Sequence, residues 1–153
     1  MGDTTKSIVY TEDEGNVAFI RLTAKTLLTV EEVQAACVPV GKTSYIVNNS
    51  DINVDNNFRG AWTYDSSSGF GIDMTKAKNL HRDNIRTRRA ELMPALDVEF
   101  QKAQETSADT SSVIAKKNAL RDAPANLAID SCTTTDELKA QWDTSILGAT
   151  IYS

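Results

Sequence analysis

The chain has 153 residues, a formal net charge of −5, 41% hydrophobic residues and 24% charged residues. This composition is too apolar for a wholly disordered chain, and the length suits one domain or two small lobes. No stretch approaches the roughly 20 apolar residues of a membrane-spanning helix, and the first residues lack the apolar run of a signal peptide, so we expect neither.

The first third of the chain alternates short apolar runs with turn-forming residues. The runs at 7–10 and 17–22 flank an acidic turn and predict a β-hairpin. Thr29 and Glu32 form the pattern of a capping box, which predicts a short helix, and residues 44–47 predict a third strand. We therefore expect a small sheet with one short helix.

Asparagine and aspartate residues are crowded into the next loop. Three of them match the alternate ligand positions that open a calcium-binding loop: Asp51, Asn53 and Asp55. Asn56 stands where that motif needs glycine, and Trp62 stands where it needs a bidentate glutamate. The sequence therefore favours a polar connecting loop.

An aromatic segment and a Ser/Gly run follow. Dense aromatics are typical of a core or an interface, so Arg59, Trp62 and Tyr64 are predicted to anchor the head or to contact a partner. The Ser/Gly run indicates a flexible linker over residues 66–72. It ends a small α+β head over residues 1–65.

Residues 73–153 have helical periodicity. The pattern predicts a helix over 75–106, about 48 Å long at 1.5 Å per residue, with a kink or a break near Pro94. A second helix over 111–122 completes a hairpin, and a capping box at 134–137 opens a terminal helix. The expected fold class is α+β: a small N-terminal sheet with one short helix, then an elongated C-terminal helical hairpin.

The hairpin carries an apolar stripe with no obvious cover in the chain. Leu92, Leu96 and Phe100 form a predicted helix seam, and Trp142 of the terminal helix is expected to need a partner surface as well. The tail over residues 143–153 is rich in Thr and Ile, and it is expected to add a strand to a neighbouring sheet.

Three arginines share one face of the long helix. Arg82, Arg86 and Arg89 are spaced as a nucleic-acid-binding stripe would be, but acidic residues lie among them and no aromatic is interleaved for base stacking. We interpret them as a solvated face or as a surface that docks on an acidic protein partner. A small nucleic-acid-binding regulator is kept as a separate hypothesis.

The chain lacks the usual signatures of catalysis. His81 is the only histidine, it lies on a basic helix, and we expect it to be a surface or packing residue. With His81, Cys37 and Cys132 as the only imidazole and thiol groups, the sequence predicts no zinc site and two buried, unpaired thiols. We expect no enzyme activity, no cofactor and no small-molecule substrate.

Motifs over most of the chain resemble small tail proteins of tailed bacteriophages that are encoded beside tail-fibre genes. In the second half the motifs are HRDNIR at 81–86, LDVEF at 96–100, IAKK at 114–117, LRDAP at 120–124 and DEL at 136–138. In the first half they are IVY at 8–10, VEE at 30–32, VPVG at 38–41, YIV at 45–47 and FRGAW at 58–62. The LRDAP ending also resembles the ending of tail assembly chaperones.

The resemblance implies a non-enzymatic protein that binds other tail components, with no catalytic or metal-binding residues. Its implied place is the virion tail, after synthesis in the cytoplasm of the host bacterium, where it links or decorates fibre, baseplate or neck in several copies of itself. The alternative is a tail-fibre assembly chaperone that is absent from the mature particle. Neither hypothesis involves a membrane or nucleic acid.

Overall fold

A computed structural model describes residues 2–153 of the chain. The fold is α+β, as the sequence predicts, with the strands in the first half and the long helix in the second. The chain divides into two units: unit 1 ends at Asp73, and unit 2 begins at Met74. This division lies after the expected linker, not within it.

A three-stranded antiparallel sheet forms the centre of unit 1. Strand β1 (Lys6–Thr11) pairs with β2 (Val17–Arg21) on one side and with β3 (Ser44–Asn48) on the other. In β1, Ser7, Ile8 and Val9 are fully buried. A strand whose neighbouring side chains are all buried needs cover on both faces of its sheet.

Helix α1 (Val30–Cys37) covers one face of this sheet. The predicted capping box is confirmed: the Thr29 hydroxyl accepts a hydrogen bond from the Glu32 N–H at 3.2 Å, and the Glu32 carboxylate accepts one from the Thr29 N–H at 2.7 Å. The helix then packs its two buried valines against Ile8, and the cluster includes Leu22, Val30, Val33, Ile20 and Ile46.

A β-hairpin stands where the sequence predicts a flexible linker. Strand β4 (Trp62–Asp65) pairs antiparallel with β5 (Gly69–Ile72), so the linker assigned to residues 66–72 is wrong. The Asp65 carboxylate accepts hydrogen bonds from the Ser67 and Ser68 N–H groups at 2.9 and 3.0 Å, and Gly69 adopts a φ of 80°. Ser, Gly and Asp are common in tight turns as well as in linkers, because they supply local hydrogen bonds and a positive φ.

Aromatic side chains join this hairpin to the central sheet. Phe19 of β2 contacts Trp62 edge-on with 5.2 Å between ring centroids, and it stacks on Phe70 at 5.7 Å. Trp62 is 2% exposed, and its indole N–H donates to the Asp55 carbonyl at 2.8 Å. The crowded polar loop therefore binds Trp62 of the aromatic core through the Asp55 carbonyl. The Asp55 carboxylate accepts a hydrogen bond within the loop, from the Asn57 N–H at 2.9 Å.

Unit 2 is built on one long helix. Helix α2 (Met74–Glu105) runs antiparallel to α3 (Ser111–Asp122), which confirms the predicted helical hairpin. Three short helices follow: α4 (Ala128–Ser131), α5 (Thr135–Ala140) and α6 (Thr144–Leu147). The fully or nearly buried residues include Ala77, His81, Ile85, Val113, Leu120, Ile129, Cys132, Leu138, Trp142 and Leu147.

Helix α2 is a single element that continues through Pro94, so of the two alternatives, a kink or a break, the break is wrong. Proline removes one backbone hydrogen bond, to the carbonyl of the residue four positions earlier. That residue is Ala90, and both Ala90 and Pro94 are exposed. Water can therefore satisfy the Ala90 carbonyl, which lowers the cost of the missing bond.

The C-terminal segment also departs from the prediction. Residues 143–153 contain α6 and no strand, and the Tyr152 hydroxyl lies 2.6 Å from Nδ1 of His81 in α2. The unit is thus a hairpin with α5 and α6 packed against α2. Both cysteines are free, but Cys37 is exposed and only Cys132 is buried.

Replacing Trp62 with alanine should lower the free energy of unfolding by about 3–5 kcal/mol, because it removes a buried ring and leaves a cavity. Leu27, which is 91% exposed, is the control: Leu27→Ala should change that free energy by less than about 0.5 kcal/mol. Urea denaturation followed by far-UV circular dichroism measures both. Equal stabilities of the two variants would contradict the core position of Trp62.

Candidate protein-binding groove of the second unit

An open apolar groove of about 290 Å³ lies between α2, α3 and α6. Two alanines, one on each long helix, help to form it: Ala95 of α2 and Ala119 of α3. Since an alanine side chain ends at Cβ, it leaves space between packed helices unfilled. The other lining residues are Leu92, Leu96, Lys116, Leu120, Ser145 and Ile146.

Polar contacts between the two long helices hold the walls of the groove. Lys116 pairs with Glu99 at 3.3 Å, and Lys117 pairs with Asp97 at 2.7 Å. We call residues 91–105 of α2 together with α3 the helical arm. In the arm, the ion pairs join α2 to α3, and the apolar residues that line the groove lie between the two helices.

The apolar stripe of the arm is only partly covered by the unit itself. Leu92, Leu96 and Phe100 are half-buried, whereas Ile114 and Val98 are exposed. Leu92 and Leu96 of the predicted seam line the groove, but Phe100 does not; its ring lies 5.2 Å from the ammonium of Lys117. The seam is therefore divided between the groove and a cation–π contact.

The predicted arginine face is used mostly inside the unit. The side chain of Arg82 is only 18% exposed; it donates to the Pro124 carbonyl at 3.2 Å and to Asp130 at 2.7 Å. Arg89 donates to the Arg121 carbonyl at 3.2 Å. Carbonyls at the C-terminal end of a helix attract cations, and these lie at the end of α3.

Arg86 is the exposed member of that face. Its side chain is 51% exposed and pairs with Asp83 one turn away at 2.6 Å. The prediction that these three arginines meet an acidic partner is therefore wrong for Arg82. Helical spacing identifies which side chains share a face, but not what that face packs against.

The predicted aromatic contact residues belong largely to the cores of their own units. Trp142 is buried, and its indole N–H donates to the Gly148 carbonyl at 3.1 Å, so it needs no partner surface. In unit 1, Trp62 is likewise a core anchor. Arg59 is exposed and lies 5.3 Å above the Phe19 ring, and Tyr64 is half-buried.

His81 is buried and packs inside the unit. The sequence had left two alternatives open for it, a surface residue or a packing residue. Its ring stacks on Tyr152 with 5.6 Å between centroids, and Nε2 has no hydrogen-bond partner. Burial and, to a smaller extent, the nearby Arg82 guanidinium lower the pKa of His81 to about 4. The imidazole is therefore neutral at pH 7.

Within residues 2–153, no group of three or more His, Cys, Asp or Glu side chains is placed to hold a metal ion. In the same part of the chain, every helix is too short or too polar to cross a membrane. Comparisons with protein-family models, with curated proteins and with solved structures found no match.

Of the eight lining residues, the sequence indicated only Leu92 and Leu96 as contact residues. Ala95 precedes the seam residue Leu96, and Ala119 precedes the LRDAP motif; hydrophobic periodicity carries no signal that a small side chain will leave space there. The contribution of Ser145 and Ile146 comes from α6, which lies on a segment expected to form a strand. Their position depends on how residues 143–153 fold back on α2.

Arg82 and Arg86 form a matched pair for mutagenesis, because each binds an aspartate but only Arg82 is largely buried. Arg82→Ala should lower the free energy of unfolding by about 1–3 kcal/mol, since the Pro124 carbonyl and Asp130 lose their donor. Arg86→Ala should cost less than about 1 kcal/mol. Urea denaturation measures both, and an equal loss in the two variants would show that Arg82 has no special structural role.

The pKa of His81 predicts a specific dependence of stability on pH. The pKa falls from 6.5 to about 4 on folding, so the unfolded chain binds the extra proton between these values and the folded chain does not. Stability should therefore be lost as the pH falls from 6.5 to 4, by up to about 3 kcal/mol. His81→Gln should remove this contribution in urea denaturation series.

Proton NMR checks the same point directly. His81 is the only histidine, so its ring protons give an unambiguous signal. The signal should show no titration near pH 6.5 and should move only near pH 4. A midpoint at 6.5 would mean that the ring is accessible to water.

Proposed function

We propose that this chain is a non-enzymatic tail protein of a tailed bacteriophage, a structural component of the virion that attaches or connects fibre, baseplate or neck parts through helical packing. The observation that carries the protein-binding part of the proposal is the open apolar groove on the helical arm. The phage setting rests on the resemblance of the sequence motifs.

The lining of the groove favours a protein partner over a small molecule. Sites for small molecules are largely enclosed and hold a few polar groups that converge on the ligand to orient it. Here the polar lining residues are Lys116 and Ser145, and Lys116 is already paired with Glu99. An open apolar groove along two helices instead suits a helix of a protein partner.

The alternative is a tail-fibre assembly chaperone that leaves before the particle is complete. The folding of residues 143–153 favours keeping this alternative, because α6 and Tyr152 pack within the unit and leave no strand to donate to a neighbouring sheet. We do not propose a nucleic-acid-binding regulator, since Arg82 and Arg89 donate to carbonyls of their own unit.

Quantitative mass spectrometry of gradient-purified particles, compared with the infected-cell lysate, tests the proposal. A structural tail component should be present in particles at a fixed copy number. Abundance in the lysate with none in particles would overturn the structural role and support the chaperone. Absence from both particles and tail intermediates would overturn both.

A matched pair of variants tests the groove in the same assay. Leu96 lines the groove, whereas Val98 is an exposed apolar residue of α2 that does not. Leu96→Glu should prevent incorporation of the chain or assembly of the tail, because a carboxylate would be buried in an apolar contact. Val98→Glu should leave both incorporation and assembly unchanged. An equal defect in the two variants would show that the groove has no specific role in the function.

A further inference from the structure

The charges of the helical arm are divided between its two helices. Residues 91–105 of α2 contain four acidic side chains and one basic one: Glu91, Asp97, Glu99 and Glu105, with Lys102. Helix α3 has the opposite balance: Lys116, Lys117 and Arg121, with Asp122. Within the arm, an acidic segment of α2 therefore lies beside the basic helix α3, with the apolar groove between them.

One ion pair of the arm has a member at the groove, and both of its side chains remain accessible. Lys116 lines the groove and pairs with Glu99, and their side chains are 56% and 50% exposed. An ammonium has three donors and a carboxylate has two acceptor oxygens, so a single ion pair does not use all of them. Each side chain thus retains capacity for a second, opposite charge.

We infer that a second copy of this chain covers the groove, in a symmetric dimer whose two-fold axis runs parallel to the helices of the arm. The inference rests on the proposal that the groove binds protein, and it names the partner. The dimer is a four-helix bundle in which each copy contributes α2 and α3.

Charge complementarity selects this axis. A two-fold axis parallel to the helices sets α2 of one copy opposite α3 of the other, so the acidic segment 91–105 of each copy faces the basic α3 of the other. This axis also leaves equivalent residues of the two copies at the same height along the bundle. Since Glu99 and Lys116 pair within one copy, Glu99 of each copy also faces Lys116 of the other copy. A perpendicular axis in the interface sets α2 against α2 and α3 against α3, which brings like charges together.

The apolar and charged groups have different tasks in this dimer. Exposed ion pairs add little affinity, so the burial of Leu92, Leu96 and Ile146 against the second copy supplies most of it. The charges determine which of the two face-to-face arrangements forms.

Sedimentation velocity of the purified full chain over a concentration series tests the dimer. We expect a reversible monomer–dimer equilibrium that Leu96→Glu weakens by at least about 10-fold and Val98→Glu leaves unchanged. Circular dichroism confirms that the variants are folded. A wild-type chain that stays monomeric, or equal weakening by both variants, overturns the inference.

A charge-swapped double variant tests the axis. Glu99→Lys with Lys116→Glu preserves the pairing within each copy, so this variant should dimerise with itself as the wild type does. In a mixed dimer of the variant and the wild type, Glu would lie opposite Glu and Lys opposite Lys. When differently tagged variant and wild-type chains are mixed, the fraction of mixed dimers should therefore be well below the statistical value. A statistical or higher fraction overturns the parallel axis.

The two proposals fail separately. A dimer in solution together with absence from particles and tail intermediates would refute the tail function and leave the dimer standing. A monomer in solution that is present in particles at a fixed copy number would refute the dimer and leave the tail function standing.

Discussion

The 32-residue helix α2 is the constraint on which the second unit depends. Its first half carries a buried stripe of Ala77, His81 and Ile85, which the later helices must cover. The chain after α3 returns along this half, and Arg82 holds it by donating to Pro124 and Asp130. The distal half is covered by α3 and only at its beginning by α6, so the open groove arises where the covering chain ends.

Unit 1 follows a comparable rule with strands. Both Ile8 and Val9 of β1 are fully buried although they point to opposite faces of the sheet. The sheet therefore needs two covers: α1 packs on the Ile8 face, and the aromatic hairpin packs on the face of Phe19, which pairs with Val9. The aromatic cluster is a consequence of this second cover.

Local sequence patterns predicted most of the helices and strands correctly, and the wrong predictions concern contacts between residues that are distant in the chain. The two capping boxes and the helix periodicity depend on neighbouring residues, and all of these predictions are confirmed. The hairpin of β4 and β5 was missed because a Ser/Gly run suits a turn and a linker equally. A turn is distinguished from a linker by the pairing of β4 with β5 across the run and by the contacts of the Phe19 ring with Trp62 and Phe70.

The sequence by itself determined the α+β class, the hairpin of long helices and the apolar seam that contains Leu92 and Leu96. These features follow from periodicity and capping, which act over a few residues. Only the tertiary structure decided that Arg82 and Trp142 are used internally, that His81 is buried beside Tyr152, and that α6 completes the groove. Each of these joins residues distant in the chain, and their contact depends on how the later helices return along α2.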